Sequence, residues 1–504
     1  MAAKGGWPVG ERNTVSDSVP ERLGGAKKLT LIDAVAQSVG FMGPVFVMAF
    51  LVPLLVGLNA AGRGAGAAAP LSVLIAGVGV LGLGWIVAEY ARRIQAAGSL
   101  YDYVSDGLGA RLGSAAGLLY YVGIFVLGAV LLVMIGGTVG DTLEVEFGRR
   151  LLPELGWDLV LLVVLGVVLF VGVALSTRTQ LVLALVSIAV LLVFSVYVIV
   201  RVGSDNEVGT ALNPGTSPHG LSGVLFGVLY AVLMFTGFES SANLGEETAH
   251  PARDIPRAVL FSVLAVAGYY VVVTYAQMAG YHFSLDELGA NAAAPLFGLA
   301  GPAADGGFGS VAVRRLMETV VVLDMIAVLI GTSVAGARGF FALGRDHRLP
   351  AVLGRVSRRG IPHVASGVLL AFYAVVIVLT LAWDGLFAQE GLPHYVAIFT
   401  WGATFGGFAL GVIYLLMSVG AVRGLADHPK RWAVYLAAAA GVAVTAAAVF
   451  GSVYQVPAPT IYAVYAAIAT FIVGIVLAFV VPGRVSASTQ FRELTEAEQG
   501  PVKL

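Results

Sequence analysis

Long apolar runs alternate with short polar joints from residue 31 to residue 481, a pattern that makes lipid the only workable solvent for this chain. A helix that crosses a hydrocarbon layer of about 30 Å needs roughly 20 mostly apolar residues. Twelve stretches reach about that length: 31–57, 70–89, 113–137, 159–175, 180–200, 221–244, 259–280, 311–337, 364–382, 395–417, 432–453 and 458–481. Strands of a membrane barrel would alternate apolar and polar residues over about ten positions. These runs are longer and apolar on every side. The expectation is an all-α membrane protein of twelve transmembrane helices.

Composition bears on what such a protein can do. Of 504 residues 58% are hydrophobic and 12% charged, against about a quarter charged in soluble proteins. The formal net charge of −1 gives no basic footprint for nucleic acid. Cysteine is absent, which removes disulfides, thiolate catalysis and cysteine-held metals. None of the seven histidines lies deep in a span or at metal-ligand spacing. No glycine-rich loop with a lysine is present to cradle a nucleotide phosphate. We therefore expect no catalytic residues, no metal and no cofactor, with sodium or a proton as the only coupled ion. The partners expected are a small-molecule solute and the lipid bilayer.

Lysine and arginine give the orientation. With the N-terminus inside, only Arg63, Arg149, Arg150, Arg201, Arg314 and Arg315 fall outside, so 23 of the 29 cationic residues are internal. Both termini are expected in the cytoplasm, with tails at 1–30 and 482–504 around one transmembrane domain at 31–481. The first 30 residues lack the apolar core and small-residue cleavage site of a signal peptide. The longest outer loop, 281–310, is too short for a separate catalytic domain.

Two spans are interrupted. The first contains Ser38-Val39-Gly40-Phe41-Met42-Gly43-Pro44 and the sixth contains Phe235-Thr236-Gly237-Phe238-Glu239. Backbone groups freed by such breaks are tolerated at membrane depth only where they face protein, water or a ligand. Gly43 and Gly237 lie 194 residues apart, near the start of each half. Paired interruptions at matching places point to a binding site in an inverted-repeat transporter.

The segment Gly237-Phe238-Glu239-Ser240-Ser241-Ala242-Asn243-Leu244-Gly245-Glu246-Glu247, continuing through Pro251-Ala252-Arg253-Asp254-Ile255-Pro256-Arg257-Ala258, resembles the signature of the amino acid–polyamine–organocation (APC) permease superfamily. Ala97-Gly98-Ser99-Leu100-Tyr101-Asp102-Tyr103 is similar to a second motif of that family, with Gln95 where proline is usual. Phe341-Ala342-Leu343-Gly344-Arg345-Asp346-His347-Arg348-Leu349-Pro350 is similar to a third, with His347 in place of glycine. The resemblance implies a 5+5 inverted repeat of the LeuT-like type, with discontinuous helices 1 and 6. Repeat one would cover about 31–202 and repeat two about 220–418, with two extra helices at about 432–481.

The resemblance also implies a secondary active transporter of a small amino acid or related amine, working by alternating access in the cell membrane. Substrate would be held by Gly40, Phe41, Met42 and Gly43 of helix 1 and by Phe235, Thr236, Gly237, Phe238 and Glu239 of helix 6. The family's Gly-small-Gly step in helix 1 falls here on Met42, Gly43 and Pro44. Pro44 has no N–H, so one donor for a solute carboxylate is missing. Either the solute is an atypical amino acid or an amine, or its carboxylate sits on the amides of Phe41 to Gly43.

Carboxylates inside membrane helices are costly and mark function. Glu239 is expected to support the unwound backbone or touch solute. Asp324, midway along the eighth span, is expected to serve as a proton or cation site or an amine partner. Thr332 and Ser333 offer oxygens to sodium. Where related proton-driven permeases carry a lysine in helix 5, Ser187 stands here. A permease-derived sensor or channel is the alternative reading, and a multi-spanning membrane enzyme a more remote one.

Overall fold

The computed structural model describes residues 23, 28–59, 62–171, 173–291, 294–388 and 393–481. The tails expected at 1–30 and 482–504 fall outside these residues, save for Leu23 and 28–30. The described chain is helical, and its β-type contacts are two isolated bridges, Leu29 to Thr248 and Pro302 to Gly309.

The chain enters the bundle through α1 (Leu31–Met42), α2 (Pro44–Phe50) and α3 (Val52–Val56). It continues in α4 (Ala69–Arg93), the short α5 (Leu100–Leu108), α6 (Ala110–Phe147), α7 (Glu154–Val171) and α8 (Val173–Val202). The second half comprises α9 (Gly220–Met234), α10 (Pro251–Gly280), α11 (Val311–Arg345), α12 (His363–Ala382) and α13 (His394–Gly424). Helices α14 (Arg431–Gly451) and α15 (Ile461–Val480) complete it. Among the described residues eleven helical segments are long and apolar enough to cross a membrane, α1 and α2 counting as one, and α9 is a shorter apolar helix.

Several expected spans change length for a physical reason. Hydropathy registers only the part of a helix that lies in lipid, so α6 and α11 run past their apolar stretches into charged turns. The stretch expected at 221–244 instead gives α9, an irregular segment and a 3-10 turn at Ser240–Leu244.

Local chemistry explains where helices begin. Thr30 and Asp33 form a reciprocal capping box at the start of α1. Pro44 and Pro251 open α2 and α10, at positions whose N–H would have no helical partner. Small residues let helices touch: at Gly123, Gly402 and Gly406 an added Cβ would fall 2.3–2.8 Å from the facing helix of the α6–α13 pair. Apolar side chains on α7, α8, α14 and α15 point outward, with Val163 67% and Phe479 67% exposed. A surface of that kind suits lipid rather than water.

Alternating helix directions bring the start of α1 and the ends of α4 and α11 to one side, here called the terminus face. The ends of α3 and α6 and the start of α11 lie on the far face.

Candidate functional site

Helix α1 stops at Gly43, whose φ of 60° is left-handed, and Pro44 restarts the helix in a new direction. Glycine is the residue that takes this conformation at least cost. The break changes which backbone groups are satisfied. The amides of Val45 and Phe46 both donate to Asp324 Oδ2, at 2.9 and 2.8 Å. Asp324 reaches them from α11 and is fully buried. Its other oxygen, Oδ1, has no hydrogen-bond partner among the described residues. The carbonyls of Gly40, Phe41 and Met42 have thus lost their usual donors four residues on, one to proline and two to Asp324.

The second break follows α9. Gly237 has φ of 103°, and a Cβ there would lie 2.0 Å from the Phe41 ring. The two breaks are stitched together. Ser38 Oγ donates to the Phe238 carbonyl (2.8 Å), Ser240 Oγ donates to the Gln37 carbonyl (3.0 Å), and the Ser241 amide donates to Ser38 Oγ (3.3 Å). Glu239 is fully buried and accepts from two phenols, Tyr120 Oη on α6 and Tyr414 Oη on α13, each at 2.7 Å. Both of its oxygens are therefore engaged by protein.

A cavity of about 1420 Å³ descends from the far face to these breaks. Its deep end is formed by Phe41, Met42, Phe46, Thr236, Val328 and Thr332. Among the described residues, charged groups come to it only near the mouth, where Arg315 pairs with Glu146 (2.5 Å) and Arg314 with Glu318 (3.0 Å). Among the expected binding residues, Phe41, Met42 and Thr236 line the cavity. Gly40, Gly43, Phe235, Gly237, Phe238 and Glu239 do not. Phe235 packs on Tyr270 and Phe238 on Tyr414, at ring separations of 5.0 and 5.5 Å. The walls add Phe46 and Phe399, in edge-to-face contact at 5.2 Å. Nothing in a span-by-span reading pairs helices that are so distant in sequence.

The expected ion-coupling residues do not converge. Thr332 Oγ1 lies 3.0 Å from the carbonyls of both Val328 and Leu329, and Ser333 Oγ donates to Leu329 (2.7 Å) and meets Tyr373 Oη (3.1 Å). Ser187 donates to the Val320 carbonyl at 2.8 Å. Val320 is twelve residues from Thr332 along α11, or about 18 Å of helix rise.

A residue overlooked in the sequence, Gln180 of α8, fills the space between α1 and α11. A Cβ on Gly40 would meet its Cγ at 2.2 Å, and one on Gly331 would meet its Nε2 at 2.3 Å. Its Nε2 donates to the Ala327 carbonyl at 3.2 Å. The only sequence signal was an amide at the apolar end of a span. Gly40→Ala is expected to cost about 1–3 kcal/mol through overpacking. Adding Gln180→Ala should return part of that loss, as read by thermal unfolding of the detergent-purified chain.

The terminus face is closed. Arg338 holds Glu247 through Nε–Oε1 (2.5 Å) and Nη2–Oε2 (3.1 Å), with both side chains buried. Arg345 Nη1 donates to both oxygens of Glu246, at 2.8 and 3.0 Å. Glu246 also accepts from the amides of Leu23 and Ala97. Tyr101 donates to Asp346 at 3.0 Å. The second and third motifs and the glutamate pair thus meet in one layer beneath the breaks.

A family model described as amino acid permease matches residues 42–405. The chain belongs to the amino acid permease family. It is a multi-pass membrane protein of that family. It is 28% identical over 380 residues to a vacuolar cationic amino acid transporter of Arabidopsis thaliana, a match covering 71% of this chain and 60% of that protein. It is 27% identical over 368 residues to the branched-chain amino acid permease BcaP of Lactococcus lactis, covering 69% of this chain and 75% of that permease. The fold is similar to the crystal structure of a manganese transporter from Eremococcus coleocola, with TM-score 0.53 and 14% identity over 92% of this chain and 97% of that one.

Proposed function

We propose that this permease is a secondary active transporter that carries a small amino acid or related amine across the cell membrane by alternating access. The observation that carries the reading is the cavity. Its deep end is made by residues of both helix breaks, it opens at one face, and a buried layer of ion pairs closes the other. A single-file channel has no need of that asymmetry, while a carrier caught with one side open requires it.

The proposal includes twelve spans arranged as a 5+5 inverted repeat, α9 and the turn Ser240–Leu244 together forming the sixth. The distribution of arginine and lysine supports termini in the cytoplasm, so the cavity would open outward. Transport would be coupled to sodium or a proton.

The test is uptake of labelled solute into proteoliposomes. Saturable flux that accelerates when unlabelled solute is preloaded is expected, since counterflow is a property of carriers. Imposing a sodium or a proton gradient separately identifies the coupled ion. Flux without saturation or counterflow would instead support the channel reading.

A further inference from the structure

We propose, resting on the transporter reading, that Asp324 is the specificity-determining residue of this site. It is a tethered carboxylate in the position a solute carboxylate would need, so the solute carried is a primary amine with an apolar body and no carboxylate.

The donors of the site are already used. Pro44 has none, and the Val45 and Phe46 amides both point at Asp324 Oδ2. At the second break the amides of Phe238, Ser240 and Ala242 donate to carbonyls three residues back, and that of Ser241 donates to Ser38. No arginine or lysine reaches the described deep end of the cavity, and Arg314 and Arg315 at the mouth are paired with glutamates. A carboxylate arriving there would lose its water and gain neither a cation nor an amide, which is strongly unfavourable.

Acceptors, by contrast, are in excess. Gly40, Phe41 and Met42 have carbonyls without helical donors, and Phe41 and Met42 line the cavity. Asp324 supplies negative charge just behind them, its Oδ2 3.5 Å from where a Cβ of Gly43 would stand. Its Oδ1 is buried without a partner among the described residues, leaving capacity to accept. An ammonium group suits the two carbonyls of cavity-lining residues, Phe41 and Met42, backed by a carboxylate. The rest of the solute meets Phe46, Val328 and the wall of Phe399, so its body is apolar. A polyamine or a cationic side chain would place a second charge against these residues without a counter-ion.

The experiment uses the full chain in detergent, where a bound ligand raises the unfolding temperature by mass action. Isopentylamine and 2-phenylethylamine are compared with leucine and phenylalanine, which differ from them by the carboxylate. The amines are expected to stabilise and the amino acids not. Asp324→Asn, similar in shape but uncharged, should weaken amine binding by at least about tenfold. Stabilisation by the amino acids but not the amines would overturn the assignment and leave the transporter reading intact. So would undiminished amine binding by Asp324→Asn. The comparison on the parental chain decides the matter even where the variant does not fold. Absence of any response to either class, together with absence of counterflow, would bring down the transporter reading itself.

Discussion

Replacing Gly237 with leucine is expected to abolish the proposed uptake while leaving the amount of inserted protein near normal. Two independent effects act at this position. A Cβ there falls 2.0 Å from Phe41 Cδ1 and 2.6 Å from its Cγ, so the ring that forms part of the cavity's deep end must move. The backbone φ of 103° is also one that L side chains rarely adopt, and holding it costs about 1–3 kcal/mol. The rest of the bundle is untouched, because the position faces the first break rather than lipid. Gly237→Ala separates the two effects. Combined with Phe41→Ala it removes the steric clash and keeps the strain, so the pair should recover part of the lost flux. Wild-type uptake by Gly237→Leu in vesicles would count decisively against a site at the breaks.

The features legible in the sequence were those written locally. A run of apolar residues reports its own burial in lipid, and a glycine beside a proline reports an interruption, so the spans and Gly43-Pro44 could be read directly. The Gly237 break was visible for the same reason. Long-range partners were not. Asp324 announced itself as a costly carboxylate, but its partners, the Val45 and Phe46 amides, lie 279 and 278 residues away. Glu239 stood out in the same way, while the phenols of Tyr120 and Tyr414 that neutralise its demand for donors carry no motif. Phe235 and Phe238 flank Gly237 and appeared equally placed to face solute. In the bundle they turn away from the cavity, and Thr236 between them turns into it. A broken helix has no fixed 3.6-residue period, so direction cannot be counted through it. Ser187 and Gln180 show the same limit: both bond to α11, at Val320 and Ala327, but it is Gln180, seven residues before the position inferred by counting, that also packs against α1.

Under the proposed alternating access, removing Arg338 should favour a state open at the terminus face. Its side chain and that of Glu247 are 3% and 6% exposed, so Arg338→Ala leaves a buried carboxylate without its ion-pair partner in the closed arrangement. Loss of one partner from a buried pair costs about 3–5 kcal/mol. Under alternating access that cost falls on the state in which this face is closed, since opening admits water to Glu247. Even 3 kcal/mol is a shift of roughly a hundredfold in the balance of the two states. The chain contains no cysteine, so single introduced cysteines report without background. Thr404→Cys lies on the cavity and should react readily with a thiol reagent in detergent, whereas Ala242→Cys, beneath the breaks at 2% exposure, should be protected. Arg338→Ala is expected to reverse that order, slowing Thr404→Cys and exposing Ala242→Cys. The exchange Arg338→Glu with Glu247→Arg should restore the original pattern, because a double change that recreates the pair isolates the interaction from the individual side chains. If both cysteines in folded Arg338→Ala protein react as they do in the parent, the buried pair is packing rather than a gate, and the closed face must be held by the rest of that layer, Glu246 with Arg345 and Tyr101 with Asp346.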